Sequence, residues 1–383
     1  MVLKTARRAQ IPPFIVMEVM RAANARAAAG GDVIHLEVGQ PGTAAPTPVL
    51  AAAREALERH AIGYTEALGV PELRRRIARH YRDFYGIDVE ADRIVVTTGS
   101  SGAFLLSFLS AFEAGDRVAL ASPSYPAYRN ILTALDVETV ILPATIETRF
   151  QPTPALLDAA PGPIHGLIVA SPANPTGSML TPDALAALAE YCRRRGIRFI
   201  SDEIYHGITF GMPTATALSS SDDAIVINSF SKYYSMTGWR LGWMVVPPDL
   251  MRAVEVLAQN LFISPPTLPQ LAALAAFDAE AEIRANVERY RANRDLLLEQ
   301  LPLAGFERFA PADGAFYLYA DVAALTNDSV EFCRRMLTEI GVAATPGIDF
   351  DPTRGHATVR FSFAGTTADI AVAVERLKGW RRG

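Results

Sequence analysis

Cysteine is nearly absent from this chain. There are two in 383 residues, Cys192 and Cys333, both in helix-like sequence and neither in a CxxC pair. That argues against a disulfide framework and for free thiols in a reducing compartment, so the cytoplasm is expected. Histidine is sparse too. The six are scattered, with no HExxH and no paired spacing, so no metal centre is expected. No Lys/Arg block is long enough for a nucleic-acid footprint. Arg74-Arg75-Arg76 and Arg193-Arg194-Arg195 fit exposed helix faces, and the net charge is −5. Long apolar runs are also missing. The stretch Ile15 to Met20 is broken by Glu18 and preceded by Pro12-Pro13, which does not read as a signal peptide, and nothing is long enough to span a bilayer. The expected partners are small molecules, with no nucleic acid and no membrane.

The chain is long enough for two domains, and half of it is hydrophobic against one fifth charged, which suits a large core. Between residues 94 and 246 a unit repeats: a short apolar strand, a polar loop, a helix. Ile94-Val95-Val96 runs into Thr98-Gly99-Ser100-Ser101-Gly102, and Arg117 to Leu120 into Ser122-Pro123-Ser124-Tyr125-Pro126. Leu167 to Ala170 runs into Ser171-Pro172-Ala173-Asn174-Pro175-Thr176-Gly177, Arg198 to Ser201 into Asp202-Glu203, and Ala224 to Ile227 into Ser229-Phe230-Ser231-Lys232. This alternation predicts a largely parallel sheet covered by helices on both faces, with the loops converging at one edge. A break at Ser264-Pro265-Pro266 precedes a long helical stretch, Pro269 to Leu301. Strand-like Phe316 to Tyr319, a helix over Ser329 to Ile340 and strand-like Thr358 to Phe363 then predict a smaller α+β domain, built with help from the N-terminus.

Each loop carries chemistry that is ambiguous alone. A lysine in a small-polar loop at a strand end is partly desolvated, which lowers its pKa and makes its amine a usable nucleophile. Gly99-Ser100-Ser101-Gly102 opens a helix after a strand, so its free N–H groups and hydroxyls suit an anion. It is neither a GxGxxG nor a GK[ST] pattern. Ser229, Ser231 and Arg240 could add phosphate donors, or Arg240 could form a surface ion pair. Asp202 could bind a metal, act as a base or hold a cationic ring nitrogen. His206 fits local packing better than metal ligation. Tyr205 could share the site, Asn174 could simply sit in a turn, and Tyr125 could stack on an aromatic ligand or belong to the core. One ligand uses all of these at once: phosphate donors, a stacking ring, a carboxylate for a pyridine nitrogen, phenol and amide donors for a ring oxygen, and a lysine. That ligand is pyridoxal phosphate.

The chain resembles fold-type I pyridoxal-phosphate enzymes of the class I/II aminotransferase family almost end to end. The resemblance is carried by Tyr64-Thr65 with Gly69 and Pro71-Glu72-Leu73-Arg74, and by the Thr98, Ser122 and Asn174 loops above. It continues through Ser201-Asp202-Glu203-Ile204-Tyr205, Ser231-Lys232 with Met236-Thr237-Gly238-Trp239-Arg240, Gly314-Ala315-Phe316-Tyr317 and Val359-Arg360-Phe361-Ser362. It implies a large cofactor domain over residues 46–280 with a mostly parallel sheet between helices. A smaller α+β domain would comprise residues 281–383, joined by the N-terminal segment 1–45. It implies pyridoxal 5'-phosphate held as a Schiff base by Lys232, Asp202 on the pyridine nitrogen, and Asn174 and Tyr205 on the ring oxygen. Tyr125 would stack on the ring, with Ser100, Ser101, Ser229, Ser231 and Arg240 around the phosphate. Arg360 and the Gly39 backbone would hold the substrate carboxylate, with Asn174 also beside the substrate. Tyr64 would reach the partner's phosphate in a homodimer. The implied reaction is ping-pong transfer of an amino group from an L-amino acid to a 2-oxo acid, in amino-acid metabolism, with Lys232 moving the proton. A β- or γ-lyase on the same scaffold is the alternative. The sequence departs from the family at Gly39-Gln40-Pro41-Gly42, where Glu-Pro-Asp is commoner, and at Ser101, where relatives acting on aspartate often carry Lys. Both departures point away from dicarboxylates. Ile11, Phe14, Ile15 and Met17 could form an apolar lid, or could only dock the N-terminal lead.

Overall fold

A computed structural model describes residues 3–382, so positions 1, 2 and 383 of the expected terminal segments lie outside it. In chain order the strands are β1 (Ile34–His35), β2 (Ile94–Thr97), β3 (Arg117–Ser122), β4 (Glu138–Pro143), β5 (Gly166–Ala170), β6 (Arg198–Asp202), β7 (Ile225–Ser229), β8 (Gly242–Val245), β9 (Arg308–Phe309), β10 (Tyr317–Asp321), β11 (Val342–Ala343), β12 (Thr345–Pro346) and β13 (Thr358–Ser362). The helices are α1 (Ile15–Ala28), α2 (Thr47–Arg59), α3 (Pro71–Tyr85), α4 (Gly99–Ala111), α5 (Pro126–Ala134), α6 (Pro154–Ala159), α7 (Pro182–Arg195), α8 (Met251–Leu261), α9 (Thr267–Ala273), α10 (Glu280–Gln300), α11 (Ser329–Ile340) and α12 (Thr367–Arg382).

Seven strands form the main sheet in the order β2-β8-β7-β6-β5-β3-β4. Strands β3 to β7 pair in parallel, as the alternation predicts. Every residue of β2, β7 and β8 is buried, the mark of strands covered on both faces. Strand β8 runs antiparallel to both β7 and β2. The connection from Phe230 to Leu241 holds only one 3-10 turn, so there is no crossover helix to return the chain in parallel. Strand β4, which the repeat did not reveal, is the exposed edge. Its burial alternates, and only Val140 and Leu142 reach the core.

A second sheet, β12-β13-β10-β9, is antiparallel, and β1 pairs in parallel with β11, so N-terminal sequence joins C-terminal sequence. Ile34 and Leu36 share a core with Phe316, Leu318, Phe361 and Phe363, apart from the two cores flanking the main sheet. The helical stretch expected over 269–301 comprises α9, a 3-10 turn and α10. The break is tertiary in origin. Phe277 turns into the first core, 5.5 Å from the Phe230 ring and beneath the Arg76 guanidinium at 4.3 Å, while α10 starts beyond the non-helical Ala279 and runs to the second core.

Candidate active site

The C-terminal ends of β2, β3, β5, β6 and β7 deliver the loops to one edge of the sheet. Tight backbone contacts hold them there. Helix α4 begins at Gly99 with φ +68°, and a Cβ on Gly99 would come within 2.6 Å of the Arg240 guanidinium. A Cβ on Gly242 would press on the Ser100 amide at 2.9 Å, so β8 lies flush against the helix start. Ser100 is half-buried and Ser101 exposed, both in the first turn of α4, where amides lack intrahelical partners. Ser229 donates to Ser231 Oγ at 2.9 Å, and its own Oγ accepts the Ser231 amide at 3.1 Å. Arg240 has φ +52°, a left-handed conformation rare for a non-glycine residue. It donates to the Thr237 carbonyl, with no carboxylate in ion-pair range among the described residues. Two hydroxyls, a helix start and a guanidinium therefore share one corner, and the surface ion pair considered for Arg240 does not form.

Lys232 is half-buried and donates from Nζ to the Gly39 carbonyl at 2.7 Å. Its Nζ lies 6.0 Å from the ring centres of Tyr205 and Phe316. Burial, with Arg360 and Arg240 adding like charge, lowers its ammonium from 10.5 to about 8. Asp202 is buried at the end of β6. Desolvation raises its carboxyl to about 6, opposed by the Tyr128 hydroxyl on Oδ2, the Ile204 amide on Oδ1 and the nearby Lys232 charge. The Tyr205 and Tyr317 hydroxyls bond at 2.6 Å. Tyr125 packs edge-on against Tyr128 and Phe14, at 5.3 and 5.6 Å between ring centres.

Arg360 on β13 brings the second sheet to the same site. Its Nη1 donates to Asn174 Oδ1 at 2.9 Å, and its Nη2 donates to the Glu37 carbonyl and to Thr345 Oγ1. Its guanidinium carbon lies 4.4 and 4.7 Å from the centres of the Tyr317 and Phe350 rings. Its Nε is buried without a partner. Gly39 passes so close to the Tyr317 hydroxyl that any Cβ there would overlap it. Lys232, Asp202, Tyr205, Asn174, Arg360 and Gly39 thus come together. Tyr64 does not join them. It is 83% exposed on the single chain.

Sequence reasoning missed Tyr128, Tyr317 and Thr345 as functional neighbours. Tyr128 had a usable signal, because it lies one helical turn from Tyr125 on α5. Thr345 had none; it meets Arg360 only through β12–β13 pairing. Among the described residues, no cluster of His, Cys, Asp or Glu is arranged to hold a metal, and no helix is long and apolar enough to cross a membrane.

The aminotransferase class I and II family matches residues 31–377. The chain belongs to that family. It is a fold-type I aminotransferase, an enzyme that moves an amino group to a 2-oxo acid. It is 53% identical to a valine–pyruvate aminotransferase of Mycobacterium tuberculosis, across 98% of each chain. Its fold matches a crystal structure of an aminotransferase from Mycobacterium tuberculosis with a TM-score of 0.98 and 52% identity, covering all of both chains. An aspartate aminotransferase from Thermus thermophilus, solved with maleate, matches with a TM-score of 0.92 at 29% identity, over 99% of this chain and all of that one.

Proposed function

We propose that this aminotransferase binds pyridoxal 5'-phosphate at the cleft and takes its amino group from a small apolar L-amino acid of the valine type, with pyruvate or a similar 2-oxo acid as acceptor. The donor set fits the cofactor. Ser100, Ser101, Ser229, Ser231 and the carboxylate-free Arg240 suit its phosphate, and the buried Asp202 suits its ring nitrogen. Tyr125 offers a ring for stacking, with Tyr205 and Asn174 as donors to the ring oxygen. When bound, the cofactor supplies a carbonyl carbon that takes up the amino group and a ring that delocalises the electrons left at Cα.

The protein's own residues do the rest. Arg360 binds the substrate carboxylate, and its unpartnered Nε is a donor that the protein itself leaves unused. The Lys232 amine, lowered to about 8, is partly unprotonated near neutral pH, so it can attach the cofactor and carry a proton away from and back to the substrate carbon. Asp202, once ionised, holds a positive charge on the ring nitrogen. Donor and acceptor use this one site in turn, so ping-pong kinetics are expected.

The apolar donor is supported by the residues where the sequence departs from the family. Gln40 and Ser101 carry no cation for a second carboxylate, which would cost several kcal/mol to desolvate unpaired. Phe14 on Tyr125 adds an apolar wall. The relative at 53% identity is named for valine and pyruvate.

A homodimer with shared sites is supported by the surface around Tyr64. Exposed Tyr64, Leu261 and Ile263 lie on two segments bonded through Thr65 to Ser264 and Thr267 to Gly63. Ile263, a β-branched residue, sits at φ +63°, a strain that a partner contact would offset. The separate cores support the division into residues 46–280 and 281–383 with segment 1–45 attached. Two buried free cysteines support a reducing compartment, the cytoplasm.

The observation that carries the reading is the meeting of Lys232, Asp202 and an incompletely satisfied Arg360 in one cleft. Borohydride reduction followed by peptide mapping tests it. The expected result is a reduced adduct on Lys232 alone, with valine exceeding aspartate in kcat/KM with pyruvate as acceptor. An adduct on another lysine rejects the assignment, and a tenfold aspartate preference rejects the substrate class.

A further inference from the structure

Beside Asp202, on the opposite side of β6, lies a buried carboxyl that the chemistry above does not use. Glu203 is completely buried. Its Oε1 accepts three hydrogen bonds: from Ser201 Oγ at 3.1 Å, Thr216 Oγ1 at 3.0 Å and the Ala217 amide at 2.8 Å. Its Oε2 has no hydrogen-bond partner. His206 Nδ1 lies 3.4 Å from it.

The proton positions around His206 follow from its partners. Its Nε2 faces the Ser171 carbonyl at 2.9 Å, and a carbonyl can only accept, so Nε2 carries the hydrogen. The neutral ring then has its lone pair on Nδ1, where the Tyr85 hydroxyl donates at 2.7 Å. A carboxylate Oε2 would set a second lone pair against that one inside the core. A carboxylic acid lessens the conflict: the carbonyl oxygen takes the three donors, and Oε2 carries a hydrogen in place of negative charge beside an Nδ1 lone pair that the Tyr85 hydroxyl already fills.

We propose that Glu203 is a positioning residue carried as a neutral carboxylic acid, its proton on Oε2, so that Asp202 is the single negative charge at the end of β6. The importance of this for the reaction rests on the proposed role of Asp202. The protonation state of Glu203 does not. The surroundings agree. Burial moves Glu203 up to about 8 and His206 down to about 3, both toward their neutral forms. The titratable groups facing the pair are Asp202 on β6, and Tyr81, Tyr85 and His80 on α3. Burial raises both tyrosines and lowers His80 to about 4, so these three are uncharged near neutral pH. Two adjacent ionised carboxylates would raise each other's pKa and blur the charge presented to the site. A neutral Glu203 keeps the hydrogen bonds that fix the strand end and adds no charge.

Glutamine reproduces the acid form, with an acceptor at Oε1 and a donor at the other position. The test uses the purified holoenzyme and its E203Q, E203A and D202N variants. Infrared spectra at neutral pH are expected to show a protonated-carboxyl stretch that survives in D202N, vanishes in E203Q and fades in the wild type as pH rises past about 8. Stability gives a second reading, independent of cofactor chemistry. A carboxyl raised from 4.5 to about 8 contributes stability that is complete below 4.5 and is lost as pH rises through about 8. The unfolding constant of the wild type relative to E203Q is therefore expected to rise about tenfold per pH unit across that window. E203A is expected to lose activity that E203Q restores. No carboxyl stretch together with a pH-independent ratio overturns the proposal in favour of a Glu203–His206 ion pair. Failure of cofactor attachment at Lys232 would instead overturn the proposed function and leave the stretch and the ratio as they are.

Discussion

At the scale of single residues, the site is a set of opposed pressures on charge. Burial pushes Asp202 toward its neutral acid, and the Tyr128 hydroxyl, the Ile204 amide and the Lys232 charge pull it back. Tyr128 is the removable member of that group. In Y128F the carboxylate loses a hydrogen bond made to its charged form, an interaction of about 1.5–3 kcal/mol, so its pKa rises by roughly one to two units. The acid limb of the kcat/KM profile is expected to move up in pH by that amount. An unmoved limb would show that Asp202 does not control it. Tyr128 was missed in the sequence because a phenol one turn from a stacking ring reads as core. The bond across α5 to β6, 74 positions along the chain, decides for a role at the site.

At the scale of elements, α1 shows a helix capped from outside itself. Its N-cap, Phe14, has no side chain able to accept from the helix amides. The Asp349 carboxylate does so instead, taking the Ile15 and Val16 amides at 3.2 Å each. This fixes the lead so that Phe14 rests on Tyr125. Both uses weighed for the lead, docking and lid, therefore run through one contact. D349A is expected to cost about 1 kcal/mol of stability, seen as a lower denaturant midpoint at unchanged slope. It is also expected to narrow the preference for valine over alanine, measured as the ratio of kcat/KM values. A variant that is destabilised but keeps its full preference would leave the lead with docking alone.

At the scale of the whole molecule, the cleft lies where the main sheet meets the second sheet. Lys232 and Asp202 come from one, and Arg360 from the other. Tyr64, Leu261 and Ile263 remain outward and apolar, a surface suited to a second copy of the chain. I263D places a charge on that surface. Sedimentation is expected to show a shift from dimer to monomer, with activity lost in parallel and recovered partly at high protein concentration. A fully active I263D monomer would refute the shared site.

The strand–loop–helix repeat made the main sheet legible, because a strand covered on both faces must be apolar along its length. The loops were legible because glycine, serine and proline punctuate them. The family resemblance named candidate site residues in advance, but residue order could not say how they touch. The antiparallel β8 was hidden, since its burial matches that of its parallel neighbours and only the missing crossover helix reverses it. The edge strand β4 was hidden because exposure thins its apolar pattern to Val140 and Leu142. The break between α9 and α10 depends on which core each half packs against. Glu203 is the sharpest case. Its place after Asp202 was plain in the sequence. Its charge state depends on three donors at one oxygen, none at the other and an imidazole lone pair 3.4 Å away, which only the folded chain brings together.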